Sequence, residues 1–155
     1  MPDTGPPTIL FEVFWTQQMR KRLVATALAG VDLPAEDYPF YVMIGAEGPW
    51  TPTGLAERLM MPLSTVLFRF RGLERRGHAE RVPNPDDGRS FLMRLTPEGQ
   101  RLLDDARPAF RSYAEAVEAR LGADRVDVLT EGLVAVRQAI DEELAAREEP
   151  APKGR

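Results

Sequence analysis

The chain of 155 residues contains no cysteine. That absence excludes disulfide staples, thiolate zinc sites and thiol-based redox sensing. Histidine is nearly as scarce, with His78 standing alone. A histidine-rich metal centre or a Ser-His-Asp relay would need partners that the chain does not supply. No paired carboxylates, nucleophile-base pair or phosphate loop stand out, so the sequence suggests no enzyme chemistry and no cofactor. There is also no apolar run long enough to span a bilayer. The opening Met1-Pro2-Asp3-Thr4-Gly5-Pro6-Pro7 lacks the basic start and apolar stretch of a signal peptide, so the expected location is the cytoplasm. Pro2 to Pro7 reads as a disordered tail.

What is present is ordinary in bulk and uneven in distribution. Hydrophobic residues make up 43% of the chain and charged residues 28%, and the net charge is −4. The length suits one domain with an adequate core. Up to Trp50 there are 3 basic and 6 acidic residues, from Thr51 to Leu95 there are 8 and 5, and thereafter 9 and 13. A basic centre thus lies between acidic flanks, and a phosphate-binding surface needs positive charge only where it meets phosphate.

Apolar spacing predicts a first helix over Thr8–Leu28, ended near Gly30, and a second over Pro34–Ala46. Thr51 is a natural N-cap with Pro52 at the first helical position, so a short helix is expected over Pro52–Met60. Leu55, Ala56 and Leu59 form its inner face. Met61-Pro62 breaks it, and the next helix spans Leu63–Arg76, stopping at Gly77. The period then changes to that of strands, over His78–Val82 and Phe91–Leu95, joined by the turn-rich Pro83 to Ser90. Thr96 caps a long helix to about Leu121, with a kink or break expected at Pro108. Gly122 ends it. A last helix over Asp124–Arg147 carries Val126, Leu129, Leu133, Val136, Ile140 and Leu144 on one stripe, and the chain is expected to fray from Glu148.

The order helix, tight turn, helix, hairpin is that of a winged helix-turn-helix, whose second helix lies in the major groove of duplex DNA. The fold class is therefore mainly α (α+β), with a small β-hairpin wing between N- and C-terminal helices. Projected at 100° per residue, Leu63, Val66, Phe70 and Leu73 share one face of the Leu63–Arg76 helix. The opposite face carries Ser64, Thr65, Phe68, Arg71, Gly72 and Arg75, with Arg69 and Arg76 at its flanks and no carboxylate. Arginine matches guanine edges or phosphate, and hydroxyls at a helix start suit phosphate oxygens. Thr53, in the first turn of the preceding helix, joins this candidate DNA surface. At the hairpin tip Arg89 is placed to enter a minor groove, and Asp87 to hold the loop by accepting a hydrogen bond. A solvated basic helix and an incidental turn are the plainer readings of each feature alone.

These motifs carry a resemblance. The stretch from Thr51 to Leu103 resembles the MarR (multiple-antibiotic-resistance regulator) family in Leu55-Ala56-Glu57-Arg58-Leu59, Ser64-Thr65-Val66 and Leu73-Glu74-Arg75-Arg76-Gly77. The strongest match is Asp87-Gly88-Arg89, followed after five residues by Leu95-Thr96-Pro97-Glu98-Gly99. The resemblance implies one domain over 1–155: N-terminal helices at 8–46, a DNA-binding core at 51–95, and C-terminal dimerisation helices at 97–147. It further implies a homodimer on a pseudo-palindromic operator in double-stranded DNA, often released by a small-molecule effector. One departure stands out. Where many members carry a small polar and then a basic residue after the Thr-Val pair, this chain has Leu67 and Phe68. Phe68 either meets a thymine methyl, packs on a neighbouring helix or contacts another partner.

Phe11, Trp15, Met19, Tyr38 and Tyr41 are candidates to line an effector pocket, with core or dimer packing the plainer alternative. His78 is read as the structural start of a strand. Two alternatives to the regulator remain: a winged-helix protein–protein module using Leu67 and Phe68, and a ligand-binding protein with weakened DNA contacts.

Overall fold

A computed structural model describes residues 8–148. The tail expected over Pro2 to Pro7 lies outside the described residues, as does the stretch beyond Glu148 expected to fray. The elements run α1 (Ile9–Ala27), α2 (Tyr38–Val42), a π-helical turn (Met43–Glu47), α3 (Pro52–Leu59), α4 (Leu63–Arg75), β1 (Ala79–Pro83), β2 (Phe91–Leu95), α5 (Pro97–Leu121) and α6 (Ala123–Glu148). The described residues fall into two compact units that divide after Tyr113, inside α5.

Helix boundaries follow local chemistry. Thr51 has extended backbone angles, and its hydroxyl accepts the Gly54 N–H at 3.1 Å. A cap of this kind stabilises a helix by about 1 kcal/mol. Gly77 ends the α4 region with φ 74°, and Gly122 separates α5 from α6 with φ 83°. Both angles favour a residue without Cβ.

Three expectations are corrected. The second helix does not begin at Pro34. Residues 34–37 form a turn closed by the Asp37 N–H on the Pro34 carbonyl at 2.9 Å, and regular helix starts only at Tyr38. The same segment then widens into the π turn, which sets Gly45 against the core. A Cβ there would stand 2.6 Å from Leu103 Cδ2 and 2.7 Å from Leu95 Cδ1. Secondly, of the kink or break expected at Pro108, the break does not occur: α5 continues through it as one helix. The lost N–H removes one rung of a ladder that the turns on both sides keep in place. Thirdly, Leu63 is exposed rather than on the core face, because it is the first residue of α4 and lies beyond the end of the packed interior.

The core belongs to the first unit. Phe40, Tyr41, Leu55, Val66, Phe70, Leu73, Met93 and Leu103 are essentially inaccessible. Each large apolar side chain so buried contributes about 1.5–3 kcal/mol. In the second unit, α6 has no buried residue, and its stripe of Leu129, Leu133, Ile140 and Leu144 is exposed in the single chain. The only sheet among the described residues is the antiparallel pair β1–β2, in register Ala79↔Leu95 to Pro83↔Phe91.

Candidate nucleic-acid interface

The α3–α4 corner is built by its turn. Met60 takes a left-handed conformation (φ 50°), and the Met61 N–H reaches back to the Ala56 carbonyl at 2.9 Å. Pro62 then leads directly into α4. Val66, Phe70 and Leu73 are buried, which fixes the rotation of α4 about its axis. The opposite side is thereby turned outward. Ser64, Arg71 and Arg75 are exposed, and Thr65 and Gly72 half-buried. Phe68 is 70% exposed at the centre of that side, so within the single chain it is not packed on a neighbouring helix. Thr53 is exposed on α3.

The hairpin is braced against α4. Phe91 stacks on Phe70 with ring centroids 6.1 Å apart, and the Arg81 guanidinium lies 4.5 Å from the Phe91 centroid. The same guanidinium donates to both carboxylate oxygens of Glu74 on α4, from Nε at 2.8 Å and Nη2 at 3.0 Å. Trp50 adds a bridge beside β2. It exchanges backbone hydrogen bonds with Met93 at 3.3 and 2.8 Å, and its indole N–H donates to the Met43 carbonyl at 3.0 Å. Sequence reasoning missed Trp50, which lies in a loop with no strand pattern of its own. At the tip, Asp87 Oδ1 accepts the Arg89 N–H at 2.9 Å, and the Asp87 carbonyl accepts the Ser90 N–H at 3.0 Å. Asp87 therefore shapes the turn, and the Arg89 side chain is exposed.

The arginines of the basic centre sort into two groups. Arg58 pairs with Glu47, Arg81 with Glu74, Arg94 with Glu80, and both Arg69 and Arg76 with Asp37. Arg71, Arg75 and Arg89 have no acidic partner among the described residues. Arg69, expected at the flank of the groove-facing side, is held on that flank by an intramolecular ion pair. Its Nη1 donates to Asp37 Oδ1 at 2.9 Å and to the Glu36 carbonyl at 3.2 Å, and its guanidinium lies 5.6 Å from the Phe40 ring centroid. Asp37 was not visible as a site residue from sequence, because its partners are more than thirty positions away.

The effector-pocket set is also corrected. Tyr38 and Tyr41 are buried in the core, Tyr38 against Phe110 with centroids 5.0 Å apart, whereas Phe11, Trp15 and Met19 are exposed along α1. The five residues do not converge. A cavity of about 410 Å³ does lie beside α1, and Gln17, Arg20, Lys21, Glu36 and Pro39 are among its lining residues. Among the described residues no cluster of acidic and histidine side chains is placed to hold a metal, and no helix is long and apolar enough to cross a membrane.

The chain matches no family model. It is 32% identical over 98 residues to an uncharacterized HTH-type transcriptional regulator of Mycobacterium leprae, a stretch covering 62% of this chain and 67% of that protein. It is 29% identical over 119 residues to the multiple antibiotic resistance protein MarR of Salmonella typhimurium, covering 76% of this chain and 82% of that one. Its fold superposes with a TM-score of 0.75 on a mutant MarR from E. coli complexed with operator DNA, at 25% identity over 81% of this chain and 90% of the other. The chain belongs to the MarR family of winged helix-turn-helix regulators.

In this MarR-family chain the lone histidine joins the helix-turn-helix to the core. His78 follows the recognition helix α4 and is buried, with Nδ1 and the Tyr41 hydroxyl 2.6 Å apart. Burial pushes the Tyr41 phenol up, so it keeps its proton. Burial, aided by the nearby Arg76 guanidinium, pushes His78 below its ordinary value of 6.5, against weaker opposing pulls from Glu98 and Asp32. The fold thus favours the neutral ring. Its contribution is complete above the unfolded value and is lost as pH falls below about 6.5 towards the folded value. Urea unfolding at roughly pH 7.5 and 5.5 is expected to show a larger acid loss for the wild type than for His78→Gln. Equal losses would exclude His78 as the source.

Proposed function

We propose that this protein is a ligand-responsive repressor that binds a pseudo-palindromic operator as a homodimer. The observation that carries the reading is the unpaired state of Arg71, Arg75 and Arg89 among the described residues. Two stand on the outward side of the recognition helix and one at the wing tip. Unpaired guanidiniums on a groove-entering helix are the groups that bind guanine edges and phosphate, while Ser64, Thr65 and Thr53 suit the phosphate backbone. Phe68 takes the central position and meets a thymine methyl. The MarR structure with operator DNA supports this docking mode.

The apolar side chains left exposed on α1, including Phe11, Phe14 and Trp15, and those on α6 support burial against a second subunit. Two-fold pairing sets two recognition helices about 34 Å apart, one turn of DNA. The cavity beside Arg20 and Lys21 supports an anionic small-molecule effector. The exposure of Phe68 favours one second reading, a module that binds protein through Leu67 and Phe68.

Selecting bound duplexes from a random pool, then titrating the winner with salt, separates the two. The regulator reading expects a two-fold-symmetric site, an affinity that falls steeply with salt, and a dimer in sedimentation at micromolar protein. A stable monomer, or the absence of salt-sensitive binding to any duplex, overturns it.

A further inference from the structure

The recognition helix and its C-cap residue Arg76 together carry four arginines, yet only two of them are presented outward. The other two are held by one carboxylate. Asp37 Oδ1 accepts Arg69 Nη1 at 2.9 Å, and Oδ2 accepts Arg76 Nη2 at 2.6 Å. Asp37 is only 8% exposed, in the turn that precedes α2. Arg69 and Arg76 lie seven positions apart, two helical turns, so both guanidiniums fold back along one flank of α4 to reach the same acid. The clamp is extended at Arg69, which also donates to the Glu36 carbonyl, and farther along α2 the Tyr41 hydroxyl and His78 Nδ1 lie 2.6 Å apart. Nothing in helix propensity or core packing requires this. Two arginines at the edge of a reading surface could equally have extended into solvent.

Their sequestration changes the charge that DNA meets. Arginine contacts to phosphate are sequence-independent: each adds to affinity for every duplex and steepens the fall of log K with log salt by about 0.9. Freeing both would raise binding to random DNA more than binding to the operator, where geometry already limits the contacts. The useful quantity in a genome is the ratio of the two affinities.

We propose that Asp37 is a positioning residue that sets DNA specificity by withholding Arg69 and Arg76 from the phosphate backbone. It acts through the two arginines and touches no DNA itself. The inference rests on the DNA-binding reading above.

The test uses the full chain and two duplexes, the selected operator and a scrambled sequence of equal length. Asp37→Asn keeps the shape of the side chain but offers only one acceptor oxygen, so at least one guanidinium is released. Affinity for the scrambled duplex is expected to rise several-fold at low salt, and the salt slope to steepen by about one to two per subunit. The ratio of operator to scrambled affinity falls accordingly. A purely structural role predicts weaker binding to both duplexes with no steeper slope, and that result overturns the inference. Should Asp37→Asn fail to fold, Arg69→Gln/Arg76→Gln decides. Slopes equal to those of the wild type are expected, because the two charges do not reach DNA, and slopes shallower by about two per subunit overturn the inference. If the wild type itself shows no salt-sensitive binding, the DNA reading fails. If the wild type binds and Asp37→Asn leaves slope and ratio unchanged, only the role of Asp37 fails.

Discussion

Arg89→Ala is expected to lower operator affinity by about 1–3 kcal/mol per subunit, roughly thirtyfold or more for the two-subunit complex. The Arg89 backbone is fixed by the Asp87 carboxylate at 2.9 Å, so its side chain leaves the wing from a defined point. It has no acidic partner among the described residues, and therefore no intramolecular ion pair to break before it meets DNA. A narrow minor groove concentrates negative potential, which makes a lone guanidinium most effective there. Folding is expected to be indifferent, within about 0.5 kcal/mol, because the position is exposed and packs on nothing in the core. Fluorescence anisotropy on the selected operator, beside a thermal melt, reads both quantities. Weaker binding at unchanged melting temperature, with a salt slope shallower by about one per subunit, is the expected pair. Unchanged affinity would remove the wing from the mechanism. Arg58→Ala is the matched control, since Arg58 is also exposed but is paired with Glu47 at 3.4 Å.

The features behind this prediction were legible in the sequence, and the reason is that they are local. A cap, a left-handed glycine and an Asx-type turn are each decided within four residues. Thr51, Gly77 and Asp87 accordingly behave in the structure as their neighbourhoods dictate. The outward side of α4 was legible too, because the apolar period of Val66, Phe70 and Leu73 sets its rotation. Membership of the family followed from the same short motifs.

What the sequence hid is what folding brings together from a distance. A helical projection places Arg69 near the groove side but contains no information about Asp37, which arrives from the turn before α2. Eight central arginines look alike along the chain, and only tertiary pairing separates five from three. Trp50 is bridged to the sheet through Met93, a partner forty-three positions away. The aromatic set proposed for an effector pocket failed for a related reason. Aromatic character marks a residue for burial or for an interface without saying which, and here Tyr38 and Tyr41 went to the core while Phe11, Trp15 and Met19 stayed on the surface of α1. The charged cavity beside Arg20 and Lys21 is a product of tertiary packing with no short motif.

Gly99→Ala destabilises the protein by about 3 kcal/mol, the upper part of the range for overpacked sites. Helix propensity alone argues the other way, since alanine is better than glycine in a helix by about 1 kcal/mol. The geometry decides between them. Gly99 sits in the first turn of α5, where its N–H donates to the Thr96 hydroxyl oxygen at 3.2 Å, while the Thr96 hydroxyl donates to the Gly77 carbonyl at 2.7 Å and the Thr96 N–H to the His78 carbonyl at 3.0 Å. This hydrogen-bonded knot draws the start of α5 onto the end of the recognition-helix region so closely that a Cβ on residue 99 would lie 2.0 Å from the His78 carbonyl oxygen and 2.9 Å from its carbon. Both are backbone atoms, so no side-chain rotation relieves the contact. Relief requires moving α5 away from His78, which loosens the Thr96 knot, or moving His78, which shifts β1 and with it the wing. At about 2–4 °C per kcal/mol for a chain of this size, the melting temperature is expected to fall by roughly 6–12 °C. Operator affinity measured well below that temperature should fall as well, because Arg89 then leaves the protein from a displaced hairpin. A melting temperature equal to or above that of the wild type would mean that propensity outweighs the contact, and that the wing is not held in place by the approach of Gly99 to His78.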